Sequence, residues 1–247
     1  MLKLGKKPAT PDARDLKMSA YLDTATLPTP PASFGLEKLV KVWSMLGNDQ
    51  YGDCVWAGAA HETLLWDAIG HHDVAFSDQA VLSDYSACTG FNPDDPNTDQ
   101  GTDMRVAASY RRKTGIVDSS GHRHKIGAYL SLAPGNLAHI ELAAYLFAAT
   151  GLGIQFPGSA MDQFNAGKPW DYVPHSTIEG GHYIPIVGKD NSYLYCVTWG
   201  KVQPMTFRFF AHYADEAFGY ISNEDLVNGK SPAGFNVTQL KKDLAAL

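Results

Sequence analysis

In the segment Asn48-Asp49-Gln50-Tyr51-Gly52-Asp53-Cys54-Val55-Trp56-Ala57-Gly58-Ala59-Ala60, a single cysteine stands between a Gly-Asp turn and an apolar run of helical character. A thiol in the first turn of a helix faces unpaired backbone N–H groups and the positive end of the helix dipole, and both favour the nucleophilic thiolate. Cysteine is also among the most buried residue types, so a structural thiol is the competing reading. The second chemically able segment is Gly180-Gly181-His182-Tyr183-Ile184-Pro185-Ile186-Val187-Gly188, followed by Tyr193-Leu194-Tyr195-Cys196-Val197-Thr198-Trp199-Gly200. A histidine that takes and returns a proton beside a cysteine that attacks is the logic of a Cys–His nucleophilic pair. The expectation is that Cys54 and His182 approach to roughly 3 to 4 Å across a cleft.

These residues need particular elements to hold them. Ala57–Ile69 has apolar residues at helical spacing and closes at Gly70, which puts Cys54 at a helix start. The His182 segment and Tyr193–Thr198 are rich in β-branched and aromatic residues, and Lys189-Asp190-Asn191-Ser192 between them has turn chemistry, so they form a hairpin. Pro185 inside the first strand predicts an edge position or a bulge. Asp53 would raise the thiol pKa if it were ionised beside the sulfur, and helix capping is its expected use.

In this order the two motifs resemble those of papain-like cysteine peptidases, whose Gln…Gly-x-Cys helix start and Gly-His-Ala-Val…Asn-Ser-Trp-Gly hairpin they match. Pro11-Asp12-Ala13-Arg14-Asp15 and the proline-rich Leu27–Ala32 stretch resemble the extended lead-in of bacterial members. Asp99-Gln100-Gly101-Thr102 and Ile154-Gln155-Phe156-Pro157 resemble the family's middle section, so the match runs from about residue 10 to residue 200. The resemblance is to a divergent member of bacterial or phage type. It implies an α+β, two-lobe fold in a single domain over residues 1–247. An extended arm covers 1–40, a mainly helical lobe about 41–130, and a mainly sheet lobe with C-terminal helices about 131–247.

The resemblance also implies a division of labour. Cys54 would be the nucleophile and His182 the base. The family's oxyanion glutamine lies six residues before the cysteine, where this chain has Asn48; Gln50 is the other candidate. The family's third residue is an asparagine that orients the imidazole. Anchoring on Trp199 puts Val197 in that slot, whereas counting from His182 puts Thr198 there, and a one-residue slip turns a side chain to the other face of a strand. Trp199 would shield the histidine from water. The site is therefore a dyad, or takes its third partner from elsewhere, or has lost activity. Where the family usually has a small residue after the histidine, this chain has Tyr183.

Along the rest of the chain, Asp78–Cys88, Thr102–Lys113, Asn136–Thr150, Thr206–Ala217 and Thr238–Leu247 read as helices, and Ile126–Leu132 and Ile154–Phe156 as strands. The 247 residues and 45% hydrophobic content suit a soluble globular protein. A net charge of −6 with only short basic clusters argues against nucleic-acid binding. No signal-peptide h-region or spanning stretch is present, so a cytoplasmic location is expected, without a membrane partner. Three cysteines do not make a disulfide framework. His71-His72 and His122-Arg123-His124 lack metal-ligand spacing, and no metal or cofactor is expected.

The leading expectation is a hydrolase of peptide, isopeptide or related amide bonds, with a peptide or protein substrate. Acyl transfer by the same thiol would use identical residues. The alternative is a weak or inactive papain-fold protein with a binding or structural role, for example in a phage-like particle or secreted assembly. The sequence sets no oligomeric state.

Overall fold

The computed structural model describes residues 2–23, 25–222 and 235–245. Three helices come first: α1 Cys54–Ile69, α2 Asp78–Thr89 and α3 Met104–Lys113. Short side chains account for the position of α1. Ala57, Gly58, Ala59 and Ala60 let neighbours approach on every side, and its first ten residues are buried. Ser77 caps α2 by accepting from Ala80 N–H, and Asp103 caps α3 by accepting from Arg105 and Val106. Leu46, Val81, Tyr85, Met104 and Ala107 pack with α1 into one core.

Short strands β1 Phe34–Gly35, β2 Ile116–Val117 and β3 Arg123–His124 precede the main sheet. That sheet comprises β4 Ile126–Ser131, β5 Thr150–Pro157, β6 Ile178–Lys189, β7 Tyr193–Thr198, β8 Lys201–Thr206 and β9 Ala214–Ser222. Its order is β4-β9-β5-β6-β7-β8, with β1 also paired to β6, and every ladder is antiparallel. Helices α4 Leu137–Phe147, α5 Gly158–Asn165 and α6 Phe207–Tyr213 lie among the strands. A second core of Leu152, Ile154, Phe156, Ile184, Trp170 and Phe209 fills the sheet side. Two cores, one built on helices and one on sheet, make the two-lobe α+β arrangement of the papain-like fold.

One helix expectation changes. Thr206–Ala217 is not one helix: α6 stops at Tyr213, and Ala214 begins β9, an interior strand between β4 and β5. The apolar spacing of Phe207, Phe210, Ala214 and Ala217 fits a helix, but ladders on both sides of β9 override that local pattern. β4 falls on the strand expected over Ile126–Leu132 and joins the main sheet. The C-terminal helix spans Val237–Ala245, and residues 246–247 of the expected tail helix lie outside the described residues.

Pro185 is not on an edge strand, because β6 lies between β5 and β7. Its missing N–H is accommodated differently. The β6–β7 ladder includes Ile186, Gly188 and Lys189 of β6, with a bulge between the first two, and stops before Pro185. Past that point the end of β7 is free to place side chains against β6.

Candidate active site

Cys54 opens α1 with Asp53 at the N-cap position. Contrary to expectation, the Asp53 side chain makes no capping bond. Both of its oxygens are buried without a hydrogen-bond partner, and burial pushes its pKa well above the carboxylate range. Burial raises the Cys54 pKa and the Asp53 charge adds to that rise, so the conflict raised by its position in sequence stands.

His182 is fully buried in β6. Its Nε2 lies 2.8 Å from Thr198 Oγ1. Ladder arithmetic explains the choice of residue. Ile186 pairs with Cys196, so from that pair towards His182 and Thr198, clear of the bulge, even-numbered residues share one face, which places Thr198 on the His182 side and Val197 on the other. Val197 instead packs with Leu65, Ala149 and Val187. The slot assigned to Val197 by counting back from Trp199 is thereby corrected.

Trp199 and Gly200 form the two-residue turn between β7 and β8, with φ of 42° and 73°. Such a turn ordinarily takes Asn or Gly at its first position, and tryptophan is held there by its stacking partners. Its indole stacks on the His182 ring at 4.3 Å between centroids and 16° between planes. Phe156 meets both rings edge-on. In this apolar surround burial pulls the His182 pKa down to about 3, so the ring is neutral at pH 7.

Tyr183 follows the histidine where a small residue was expected, and Gly58 on α1 makes the room. A Cβ on Gly58 would lie 2.4 Å from the Tyr183 ring. The Tyr183 hydroxyl donates to Glu62 Oε1, and Glu62 Oε2 pairs with Arg111 at 2.7 Å, all three side chains being buried. This network ties the helix that carries Cys54 to the strand that carries His182.

An extended N-terminal segment, residues 4–7, hereafter the N-terminal strand, is bridged at Lys6 to Thr102 and runs between Gly52 and Gly181. Gly5 N–H and Lys6 N–H both donate to Gly181 O, at 3.2 and 3.0 Å, while Lys7 N–H donates to Thr102 O and Thr102 N–H to Gly5 O. The approach is too close for side chains. A Cβ on Gly5 would come within 1.8 Å of Gly52 O, and one on Gly181 within 2.3 Å of Lys6 O. Burial drives the Cys54 thiol pKa up to about 12, against the smaller downward pull of the Tyr183 and Gly5 main-chain N–H groups. In this closed arrangement burial thus outweighs the helix start, which by itself favours the thiolate. Among the described residues His182 Nδ1 has no hydrogen-bond partner, so no hydrogen bond joins it to the thiol here.

Of the two oxyanion candidates, Asn48 is buried and directs its Nδ2 to Tyr51 O at 3.1 Å and Lys3 O at 3.5 Å. Trp199 Nε1 donates to the same Lys3 carbonyl at 3.3 Å. Gln50 is solvent-exposed, with its backbone N–H in the turn to Gly47 O, and lies outside this cluster of contacts. The sequence reading expected an N-terminal arm but not that Leu4–Lys7 would lie over the cysteine. The only available signal was Gly5 among lysines, which is weak.

Comparison with solved structures agrees with this architecture. The chain is similar to xylellain, a cysteine protease from Xylella fastidiosa, with a TM-score of 0.70 and 15% identity over 89% of this chain and 96% of that one. It is also similar to procathepsin B from Trypanosoma congolense, with a TM-score of 0.64 and 13% identity over 90% and 87% of the two chains. The Carica candamarcensis cysteine protease CMS1MS2 gives 0.59 and 14% over 78% and 99%. No family model matches the sequence, and no curated protein matches it. The fold is that of the papain-like cysteine proteases.

Proposed function

We propose that the protein is a papain-like cysteine hydrolase that cleaves a peptide or related amide bond through Cys54 and His182. The observation that carries this reading is the pairing of His182 Nε2 with Thr198 Oγ1, which leaves Nδ1 unpartnered on a ring that burial keeps neutral. With Nε2–H donating to the threonine, the Nδ1 lone pair is the available base. Once the N-terminal strand leaves the cleft, Nδ1 accepts the Cys54 proton and the thiolate attacks a substrate carbonyl carbon. The Cys54 N–H and Asn48 Nδ2 hold the resulting oxyanion. His182 returns the proton to the leaving amine, the C–N bond breaks, and water then hydrolyses the thioester. The cleft already holds an extended peptide, residues 4–7 of the same chain, by main-chain hydrogen bonds, as a peptide-processing groove would.

The test is peptide hydrolysis by the Gly5→Ala chain, in which a Cβ would meet Gly52 O and keep the strand out. Cleavage is expected there and is lost in the same chain carrying Cys54→Ser or His182→Ala. A Gly5→Ala chain whose cysteine alkylates rapidly but which cuts no peptide would favour a binding role instead.

A further inference from the structure

The strand over Cys54 does more than cover it. The Lys6 side chain is fully buried, and its ammonium lies 2.9 Å from Asp215 Oδ2 and 3.7 Å from Glu216 Oε2 and donates to Lys7 O at 3.0 Å. To get there it crosses Gly153 of β5, where a Cβ would stand 2.1 Å from Lys6 Cε. The pocket is thus open at Gly153, lined by Met104, and floored by two carboxylates from the start of β9. Asp215 Oδ1 is buried with no hydrogen-bond partner among the described residues, so the floor has an acceptor that an ammonium in this position does not use. Burial pushes the Glu216 pKa up to about 7, while Lys6 and Arg105 pull it the other way.

The surroundings share this charge. A cleft of about 740 Å³ beside the strand is lined by Asp99, Glu179 and Asp215, and the strand in it carries Lys6 and Lys7. Without Lys6, two adjoining and largely buried carboxylates would face one another across the pocket, so the empty pocket favours a basic side chain over an apolar one of equal length.

We propose that the Asp215–Glu216 pocket is the specificity pocket of the cleft, that it selects a lysine or arginine side chain of a peptide substrate, and that Lys6 is its internal occupant. This rests on the reading of the cleft as a peptide-processing groove, so binding and cleavage are measured apart. Fluorescein-labelled peptides copying residues 3–8 are titrated by anisotropy into a Gly5→Ala, Lys6→Met, Cys54→Ser chain. One peptide has the native lysine in the sixth position of the chain, the others arginine or methionine. The lysine and arginine peptides are expected to bind at least about tenfold tighter than the methionine peptide at low salt. Adding Asp215→Asn and Glu216→Gln should abolish the difference. Equal binding of lysine and methionine peptides, no detectable binding of any, or a preference that survives loss of both carboxylates overturns the proposal. A second measurement uses the otherwise unaltered chain. Lys6→Met should speed alkylation of Cys54 at least about fivefold while Lys6→Arg leaves it near the parent rate, and identical rates in all three chains would also overturn it. A preference in binding without cleavage by the Gly5→Ala chain would leave the pocket standing and remove only the hydrolase reading.

Discussion

His182 Nε2 and Thr198 Oγ1 lie 2.8 Å apart on the even-numbered face of the β6–β7 hairpin, while Val197 points into an apolar cluster on the other face. Thr198→Val leaves a buried ring nitrogen without its partner. A loss of about 1–3 kcal/mol in urea unfolding is expected. In the Gly5→Ala background, Cys54 alkylation at neutral pH should fall roughly tenfold as the ring loses its working tautomer. Thr198→Ser, which keeps the hydroxyl, should restore both.

Val197→Asn gives the opposite contrast. The amide enters the cluster of Leu65, Ala149 and Val187 and meets no imidazole. It should cost about 1–3 kcal/mol of stability with no gain in thiol reactivity. Faster alkylation by this variant would mean that the hairpin register differs from the one described.

The thiol of the full chain is protonated at pH 7, since burial holds its pKa near 12. Gly5→Ala displaces the strand, returns water to the sulfur and leaves the helix N-terminus acting on it. The midpoint of the alkylation pH profile should fall below the free-thiol value of about 8.5, and the rate at pH 7.5 should rise at least about a hundredfold. A profile unchanged from the parent chain would show that the strand does not control the site.

Gly58→Ala drives a methyl group into the Tyr183 ring, which is itself fixed by Glu62 and Arg111. Overpacking of this kind should lower stability by about 1–3 kcal/mol. Because α1 and β6 separate where the two candidate residues sit, the Gly5→Ala, Gly58→Ala chain should also cleave peptide more slowly than Gly5→Ala alone.

His61 is buried in α1 with Nε2 2.9 Å from Ser44 O, and burial lowers its pKa to about 4. Between pH 6.5 and 4 the unfolded chain binds a proton here that the folded chain does not. The stability from neutral His61 is therefore complete above pH 6.5 and is lost as the pH falls towards 4. His61→Asn lacks this loss, so its deficit relative to the parent chain should shrink by about 2 kcal/mol between pH 7 and pH 5. A constant deficit across that range would mean that His61 is not buried neutral.

What the sequence determined by itself was local. The helix start at Cys54 follows from an apolar, small-residue run after Gly52-Asp53, and the β6–β7 hairpin from two β-rich runs around Asp190-Asn191, because propensity and turn chemistry act over a few residues. The choice between Val197 and Thr198 could not be made locally. It depends on which residue of β7 pairs with Ile186, and that register is set where Pro185 ends the ladder. β9 was misread for a related reason, since its neighbours β4 and β5 lie more than 50 residues away in sequence. The placement of Lys6 is the furthest from sequence of all. A lysine near a chain terminus is ordinarily solvated. Only the assembled cleft, with Gly52 and Gly181 as its walls and two carboxylates at its floor, makes burying the charge more favourable than hydrating it.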